Sequence, residues 1–467
     1  MRTSAIASLV GLLTVSAFAF GAKLKELYLP GAAPVAMPRV AEGPPTPAVK
    51  KLLDDLGSDD WRTREKAGRD LAALGEKALP HLRKALLGTD DPEVKQRLGV
   101  LVRRLDRAVL VEPKRVTLSA KNESPKQILD AVAKQTGYKI EYADDGRATK
   151  YSFEFNDTPF WQAVDAVAEA AGLSIQTDYN DAVVRVYAQD SANPYVAYSG
   201  PFRLVATNIG SSRNVQLSAI SRRGDTQRVS ESLSMSFQIQ SEPKNPMLGV
   251  LQPELTEAKD ELGGSLLLPQ QPQGRRSYYP NYYNSGASTH NSYMNVNLTR
   301  SDRSATKIRS LKGRVGIILM AGTVPDVSVV DPLKVQKKSF RGRTVEVDLE
   351  EVKEDANQKG IYVASFTVKR LGQVDPNRGD DWNWSNTLWQ KMELTDDKGN
   401  RYFCHGPTVH NNNGTGTVKM AVQFGTDDRR FGRPNTVKFG PPVKLVLNEW
   451  VTVTHEVEFE FKDIPLP

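Results

Sequence analysis

The feature that most constrains the fold of this chain is an internal repeat within residues 116–189. The first copy begins with Asn-Glu-Ser-Pro at 122–125, and the second begins with Asn-Asp-Thr-Pro at 156–159. In each copy an Asp-Ala-Val-Ala segment follows, and then a glycine, Gly137 or Gly172. Two copies of one local pattern predict two equivalent supersecondary units within one domain.

Helix-boundary signals in the repeat predict two helices. Ser124 and Thr158 are residue types suited to the N-cap, and each precedes a proline at the first helical position. Gln127 completes a capping box with Ser124. Gly137 and Gly172 stand where a left-handed C-cap ends a helix. Because the flanking segments alternate or are rich in β-formers, the predicted order is β-α-β-β-α-β-β, with both helices on one small sheet.

Residues 115–189 resemble the short domain at the N-terminus of secretins and TonB-dependent receptors. The segments that carry the resemblance are Val116-Thr117-Leu118, Ile128-Leu129-Asp130-Ala131-Val132, Gly137, Phe153-Glu154-Phe155, Val164 to Gly172 and Val183-Val184-Arg185-Val186. The resemblance implies an envelope protein-interaction module at 114–190, in a family that has no enzymatic residues to transfer. The sequence departs from that family's pattern because no secretin or receptor barrel follows.

The N-terminus predicts export. A short positive start, Met1-Arg2, precedes an uncharged and largely apolar run from Ala5 to Phe20, and small residues at 17–21 supply a cleavage site. This pattern is typical of a secretory signal peptide, which we assign to 1–21. The run is shorter than the roughly 20 residues that span a bilayer, which disfavours an uncleaved anchor. We therefore expect a periplasmic, cell-surface or extracellular protein with no transmembrane segment after cleavage.

Composition limits the expected cellular location and the expected classes of partner. Residues 22–47 are rich in Pro and Ala and predict a semi-extended tether. Cys404 is the single cysteine, so no intramolecular disulfide forms, and an exported chain of this length without disulfides favours a bacterial envelope. The net charge of +7 and the pI of about 9.1 are a mild basic bias. Because the basic clusters are small and the chain is exported, nucleic acid is not expected as a partner.

Residues 48–107 resemble HEAT-type helical repeats. Ser-Asp-Asp at 58–60 matches Thr-Asp-Asp at 89–91, and Asp91-Pro92 predicts an N-cap followed by proline. Only about one and a half repeats are present in this domain, which we place at 48–110, and so short a solenoid does not bury its own faces. We therefore expect it to dock on a neighbouring domain or on a partner.

Three arginines lie near the end of this helical segment, at Arg103, Arg104 and Arg107. One interpretation is a binding surface, and the other is a helical face whose charges are solvated. The sequence alone favours the solvated face.

From residue 195 onward the hydrophobic period changes to two, which predicts antiparallel strands with one buried face. The alternating sets are Leu233, Met235, Phe237 and Ile239; Val345, Val347 and Leu349; Tyr362, Ala364, Phe366 and Val368; Val418, Met420, Val422 and Phe424; and the segment Glu456 to Phe461. We assign two β-sandwich domains, at 195–331 and 332–467, for which no family is recognised. A Gln/Pro/Tyr/Asn-rich segment at 269–293 predicts a disordered insertion in the first of them.

A second internal echo favours two related β domains. Glu254-Leu255-Thr256 precedes an Asp/Gly turn at 260–263, and Glu393-Leu394-Thr395 precedes another at 397–399. Each pattern predicts a strand that enters a tight turn. The predicted fold class is multidomain α + α/β + β: a short HEAT-like helical repeat, a βαββαββ secretin-N-terminus-like domain and two antiparallel β-sandwich-like domains.

Cys404, His405 and His410 are the tightest group of soft metal ligands in the sequence. Zinc and copper sites usually need three or four such ligands at rigid spacing, whereas these flank a Gly/Asn-rich loop at 406–416 with no second pair nearby. We favour a hairpin tip over a metal centre here and expect no cofactor.

A second candidate site comprises Asp380, Asp381, Trp382 and Trp384. Exposed tryptophans on a β loop stack on sugar rings, and neighbouring carboxylates ligate calcium. Tryptophans at alternate positions also fit a strand with one buried face, which is the competing interpretation.

Patterns of nucleophilic catalysis are missing from the sequence, which contains no Gly-x-Ser-x-Gly elbow and no phosphate-cradling glycine loop. The favoured function is therefore a non-catalytic, exported bacterial envelope protein that binds envelope proteins as an interaction scaffold. The alternative is a protein that binds cell-wall or extracellular polysaccharide through its C-terminal β domains. A hydrolase with a dispersed pair of carboxylates is the third hypothesis.

Overall fold

The computed structural model describes residues 45–143, 146, 149–177, 182–188, 193–216, 228–268, 278–279, 290–300, 304–372, 384–412, 416–426 and 438–467. The predicted signal peptide at 1–21 and most of the predicted tether at 22–47 lie outside these residues. The described part of the chain is mostly β, with several sheets, and its longer helices precede residue 172. No helix in these ranges combines the length and the apolar character needed to cross a membrane.

Four helices form the first part, here called the helical layer (47–111). They are α1 (Pro47–Asp55), α2 (Trp61–Ala73), α3 (Leu79–Gly88) and α4 (Pro92–Val111). The carboxylates of Asp60 and Asp91 cap α2 and α4 by accepting backbone N–H groups of the first turn, which confirms the N-cap predicted at Asp91. Apolar faces of the four helices meet in one core around Leu71, Leu82 and Leu98.

The second part, here called the α/β module (115–188), has the predicted order of elements. These are β1 (Arg115–Glu123), α5 (Pro125–Thr136), β2 (Lys139–Tyr142), β3 (Tyr151–Pro159), α6 (Phe160–Ala171), β4 (Leu173–Thr177) and β5 (Val183–Ala188). The strands form two sheets, β1–β3 and β2–β5–β4, so the expectation of one small sheet is wrong. Both helices nevertheless contribute to a single core.

Helix boundaries in the module follow the sequence signals with one exception. Ser124 and Gln127 form the predicted capping box, and Gly137 and Gly172 end their helices in the left-handed conformation. The N-cap predicted at Thr158 is wrong, because β3 continues through the extended Pro159 and α6 begins at the next residue.

The remaining chain is β-rich. Its elements are β6 (Val196–Ser199), β7 (Phe202–Gln216), β8 (Arg228–Ser241), β9 (Met247–Leu251), β10 (Glu254–Asp260), β11 (Tyr278–Tyr279), β12 (Asn291–Leu298), β13 (Lys307–Val330), β14 (Gln336–Arg341), β15 (Val345–Asp355), β16 (Gln358–Arg370), α7 (Trp384–Thr387), β17 (Met392–Asp396), β18 (Phe403–Asn412), β19 (Thr417–Gly425) and β20 (Pro442–Pro465). The predicted disordered insertion at 269–293 is wrong in two places, since Tyr278–Tyr279 form β11, which pairs with β9, and Asn291–Tyr293 belong to β12, which pairs with β8. Residues 269–277 and 280–289 of this prediction lie outside the described residues.

These strands build two layered units with separate cores. In the first β unit the sheet β12–β8–β7–β6 packs against β9, β10 and parts of β13 and β20 around Phe202, Phe237 and Phe461. In the second β unit the sheet β14–β15–β16–β19–β18 packs against β17 and the other parts of β13 and β20 around Phe366 and Phe424. Antiparallel sheets with one buried face give the alternation seen in the sequence.

Two long strands run through both units. β13 and β20 have 24 residues each and pair antiparallel from Lys307 with Pro465 to Val330 with Lys444. The first half of β13 and the second half of β20 lie in the first unit, and the other halves lie in the second. A division at residue 331 therefore does not separate the cores, since Phe459 and Phe461 belong to the first unit.

The two β units share part of their topology. Each has two consecutive hairpins, β6–β7–β8 or β14–β15–β16, and a later strand, β12 or β19, that pairs with the last strand of these hairpins. A turn-bearing strand, β10 or β17, lies between them in sequence, whereas β9 and β11 are additional in the first unit and β18 is additional in the second. Backbone hydrogen bonds at one end of the sheets match pair for pair: Ser241 N to His290 O with Arg370 N to Gly416 O, and Glu242 N to Pro201 O with Leu371 N to Thr344 O. We call this end the pole of each unit.

The turns after β10 and β17 also match. Asp260 and Asp396 each accept, at Oδ1, the backbone N–H groups two and four residues further along the chain. A glycine with positive φ, Gly263 or Gly399, closes each turn, because the left-handed conformation is readily adopted by glycine. This confirms the strand-and-turn echo, with Asp396 rather than Asp397 as the counterpart of Asp260.

Candidate interaction surfaces

The candidate metal ligands do not converge. Cys404 is buried in the second core, where its Sγ lies 3.4 Å from the Trp389 carbonyl oxygen. His410 Nε2 lies 3.2 Å from the carbonyl oxygen of Ser385. His405 is next to Cys404 on β18, and its ring packs over Gly425. No group of three or more metal-ligating side chains is found in the described ranges.

The candidate sugar-binding residues are described only at Trp384. Asp380, Asp381 and Trp382 lie outside the described residues. Trp384 begins α7, packs against the second core and has the Arg370 guanidinium 5.8 Å from its ring centroid. Part of its ring surface is therefore already covered by the second core and by a cation–π contact. The sugar-binding role stays a prediction.

A buried charge pair joins the α/β module to the first β unit. Arg203 of β7 donates from Nε and Nη2 to the two oxygens of Asp165 on α6, both at 2.7 Å. The Tyr198 hydroxyl donates to Asp165 Oδ2 at 2.7 Å, and Arg203 Nη1 donates to Gln240 Oε1 at 2.6 Å. Bidentate geometry and low exposure make this the type of ion pair whose disruption is costly.

Glu242 forms a second link at the same pole. Its carboxylate accepts the Lys114 backbone N–H at 3.1 Å and the Tyr138 hydroxyl at 2.6 Å. Burial raises the pKa of Glu242, although the hydrogen bonds from Tyr138 and Lys114 act in the opposite direction. The carboxylate therefore connects β8 to the start and to the first helix–strand turn of the module.

Backbone groups complete this contact. Trp161 of α6 is fully buried and donates its indole N–H to the Pro201 carbonyl at 3.1 Å. Lys244 Nζ donates to the carbonyl of Glu112, and Gly200 approaches Val111 so closely that a Cβ there would lie 2.8 Å from the Val111 oxygen. The first pole is thus a docking surface for the module and for the end of α4.

His290 lies buried beside this junction. Its Nδ1 is 3.4 Å from Ser241 Oγ, which in turn donates to the Asn245 carbonyl at 2.6 Å. Burial lowers the pKa of His290 to about 4. His290 Nε2 and both side-chain polar atoms of Asn245 are buried without a hydrogen-bond partner in the described structure, so ordered water is the expected partner of these groups.

The helical layer is also fixed to the β part. Arg83 of α3 donates to Asp106 of α4 at 2.5 Å and to the Ala321 carbonyl of β13 at 2.8 Å. Leu110 of α4 enters the first β core. Burial raises the pKa of Asp106, and the charge of Arg83 opposes that rise. The docking expected of so short a helical repeat is therefore observed, on the first unit.

One side of α4 remains exposed. Val100, Arg103, Arg104 and Arg107 recur at spacings of three, one and three residues and form a surface that we call the α4 face. Val100 is 53% exposed, and none of the three arginines forms an ion pair with a carboxylate of the described residues. The three guanidinium groups are therefore available to a partner.

A second exposed feature of the helical layer is an aromatic residue on α2. Trp61, the first residue of α2, is 61% exposed and carries the Arg62 guanidinium 5.6 Å from its ring centroid. One turn further along α2, Glu65 is bonded to Arg97 of α4 at 3.2 Å. Trp61 and the α4 face therefore lie on adjoining helices of one layer.

The docking residues Trp161, Asp165 and Arg203 were missed in the sequence. A signal existed at Trp161, because the first copy of the repeat has the capping residue Gln127 at about this place and the second copy has a large aromatic donor. A fully buried indole N–H needs a partner, and the partner here lies outside the repeat.

No family model matches the chain, and no curated protein matches it. Among solved structures, the chain is similar to a conserved domain protein from Bacillus anthracis, with 10% sequence identity and a TM-score of 0.13. That match covers 57% of this chain and 90% of the other.

Proposed function

We propose that this protein is a non-catalytic, exported protein of a bacterial envelope that acts as a scaffold and binds other envelope proteins. In this proposal the helical layer is a short HEAT-like helical repeat, the α/β module is a secretin/TonB short-domain type and the two β units are β-sandwiches. The four packed helices, the β-α-β-β-α-β-β order and the facing sheets support these assignments. The non-catalytic role comes from the resemblance of the module, whose family carries no enzymatic residues.

The α4 face is the observation that carries the proposal. Arginine is enriched among the residues that contribute most to protein–protein binding, and the three arginines of the α4 face are exposed. Arginine also binds carboxylates in a bidentate manner. An acidic surface on a partner protein is therefore the chemistry that fits.

A membrane surface fits less well. Each basic residue near an anionic membrane contributes only about 1 kcal/mol, and lipid-binding segments usually have four to eight of them. Three arginines on one side of a helix are too few for stable attachment by charge alone. The magnitude therefore favours a protein partner over anionic lipid.

The docked arrangement supports a scaffold role. The helical layer is held by Arg83 and Leu110, and the module is held by Asp165 and Trp161, all against the first β unit. Surfaces on a fixed support lose less conformational entropy on binding than surfaces on a mobile one. The α4 face is therefore presented in a preorganised form.

The test is affinity capture with the full chain as bait in detergent-solubilised envelope, read by quantitative mass spectrometry. The variant R103E/R104E/R107E should lose at least about tenfold of the specifically captured protein, because reversed charges repel an acidic partner. Raising the salt concentration should weaken capture by the unmodified chain.

The matched control is K51E/K66E/R69E, which makes the same charge change at exposed positions elsewhere on the helical layer. This control should retain the captured protein. Equal capture by both variants, or retention of lipid or polysaccharide alone, contradicts the proposal. Thermal unfolding of each variant checks that the layer remains folded.

A further inference from the structure

The internal duplication makes the two poles directly comparable. In the first unit a row of directly paired residues crosses the sheet at the pole: Tyr198 pairs with Arg203, Arg203 with Gln240, and Gln240 with Asn291. Two members of this row, Tyr198 and Arg203, bind Asp165 of the α/β module. The row is therefore a docking element in that copy.

The second unit has the same row with different side chains. Arg341 pairs with Glu346, Glu346 with Lys369, and Lys369 with Thr417. The backbone hydrogen bonds that flank the two rows match pair for pair, which fixes this correspondence. In the second row the carboxylate of Glu346 lies between two cationic side chains, Arg341 on one side and Lys369 on the other.

Burial differs consistently between the copies. In the first unit the pole residues Pro201, Arg203, Gln240, Ser241, Glu242 and His290 are all buried. Their counterparts in the second unit are Thr344, Glu346, Lys369, Arg370, Leu371 and Gly416, and none of them is buried by the described residues. The pole that the module covers in one copy is thus at least partly exposed in the other.

We propose that the row Arg341–Glu346–Lys369–Thr417 is a second docking surface, and that it binds a folded domain of a separate protein through carboxylates. The first copy provides the precedent, since there the row binds the carboxylate of a folded module. Arg341 and Lys369 are both exposed and form no ion pair with the described residues, so each accepts a carboxylate from outside.

The module of a second copy of this chain is not the occupant. Its Asp165, Tyr138 and Trp161 are already engaged at its own first pole. The position of Arg203 is taken by Glu346 in the second row, so Asp165 would meet a like charge there. The partner therefore carries acidic groups for Arg341 and Lys369 and a basic group for Glu346.

Site-specific photo-crosslinking of the full chain in its own cells tests the proposal. A photoreactive phenylalanine analogue at position 417 should give a product of discrete mass that contains another protein. The same probe at position 357, in the exposed turn at the opposite end of the same sheet, should give less than a tenth of that product. The α4 face lies on a different element, so R103E/R104E/R107E should leave the product unchanged whether or not the proposed function holds.

Charge reversal completes the test. R341E/K369E should reduce the product at least tenfold, and the control K353E/K359E, which makes the same charge change near the opposite end, should leave it intact. The proposal is overturned by absence of a product, by equal products at 417 and 357, by a product containing only this chain, or by a glycan or lipid adduct. If R341E/K369E lowers the melting temperature, E346K alone takes its place and should reduce the product, because the new cation would repel the basic group that the partner carries for Glu346.

Discussion

The first and second β units share the central part of their topology but differ in what their poles do. The backbone hydrogen bonds at the poles and the Asp260 and Asp396 turns are the same in both. At the pole the side chains diverge, with Arg203 in one unit and Glu346 at the equivalent place in the other. Fold and binding are thus specified by different residues, since turns and alternation specify the sheets and a short cross-strand row specifies the partner.

The largest effect is expected from substitutions that test which part of β20 belongs to each core. Phe461→Ala should destabilise the first unit by about 3–5 kcal/mol, because it removes a buried ring that packs 5.1 Å from Phe237. Leu447→Ala, on the same strand, should instead destabilise the second unit. Amide exchange measured by mass spectrometry should accelerate in β7 and β8 for the first variant and in β15 and β16 for the second. Acceleration in the same unit for both variants would contradict the shared-strand arrangement.

Substitutions at equivalent positions of the two rows should change the free energy of unfolding by different amounts. Arg203→Met should cost roughly 3 kcal/mol, because Asp165 is left in a largely buried site without its partner. Glu346→Met should change the stability by less than about 0.5 kcal/mol, as expected of a surface substitution. Urea unfolding of the two variants measures both values. Similar costs at the two positions would remove the basis of the comparison.

Acid should weaken the first unit more than the second. The folded pKa of His290 is lowered to about 4, so the unfolded state binds more protons between pH 6.5 and 4. Stability that is present at neutral pH is therefore lost as pH falls through this window, by up to about 3 kcal/mol. The raised pKa of Glu242 acts in the opposite sense at low pH.

His290→Gln isolates the contribution of the histidine. Denaturant unfolding of this variant between pH 7 and 4.5 should show a shallower loss of stability than the unmodified chain shows. The equivalent residue of the second unit is Gly416, which does not titrate. An unchanged pH slope in His290→Gln would mean that another group dominates.

The smallest effect expected concerns the two matching turns. Asp260→Ala and Asp396→Ala should each cost at least about 1–2 kcal/mol, because in each turn two backbone N–H groups lose their acceptor. Thermal unfolding of the two variants measures both costs. A negligible cost at either position would show that the shared turn does not stabilise that unit.

Local pattern predicted much of this fold. The alternation at Leu233, Met235, Phe237 and Ile239 correctly gave a half-buried strand, and all four side chains are buried. Alternation fails in the middle of β13, where every residue from 317 to 322 is buried. Both faces are covered there, by the first core and by Arg83 of the helical layer, so period two disappears where the two long strands pass from one unit to the other.

Strand pairing and the docking of one part of the chain on another depend on contacts between residues that are distant in sequence. Hydrophobic periodicity does not predict such contacts. The Thr158 N-cap was predicted from residue type, but the Phe160 backbone N–H instead donates to the Lys114 carbonyl at 2.8 Å, a contact made from outside the repeat. The α4 face contains the three arginines considered in the sequence, and only the structure shows that they lie together, exposed and without described ion-pair partners. Cys404, His405 and His410 illustrate the converse, since closeness in sequence did not bring their ligand atoms together.

The strands β13 and β20 each contribute one half to the first β unit and the other half to the second. This arrangement affects how the chain folds. Ile308 pairs with Ile464, and the ring of Phe237 packs on Phe461, so the first unit is completed only after the residues of the second have been synthesised. Such non-local pairing slows folding, because the entropy of closing a long loop is lost before the contact forms. Until then the apolar face of β7 and β8 lacks the part of its cover that β20 supplies, and this interval is the stage at which aggregation competes with folding.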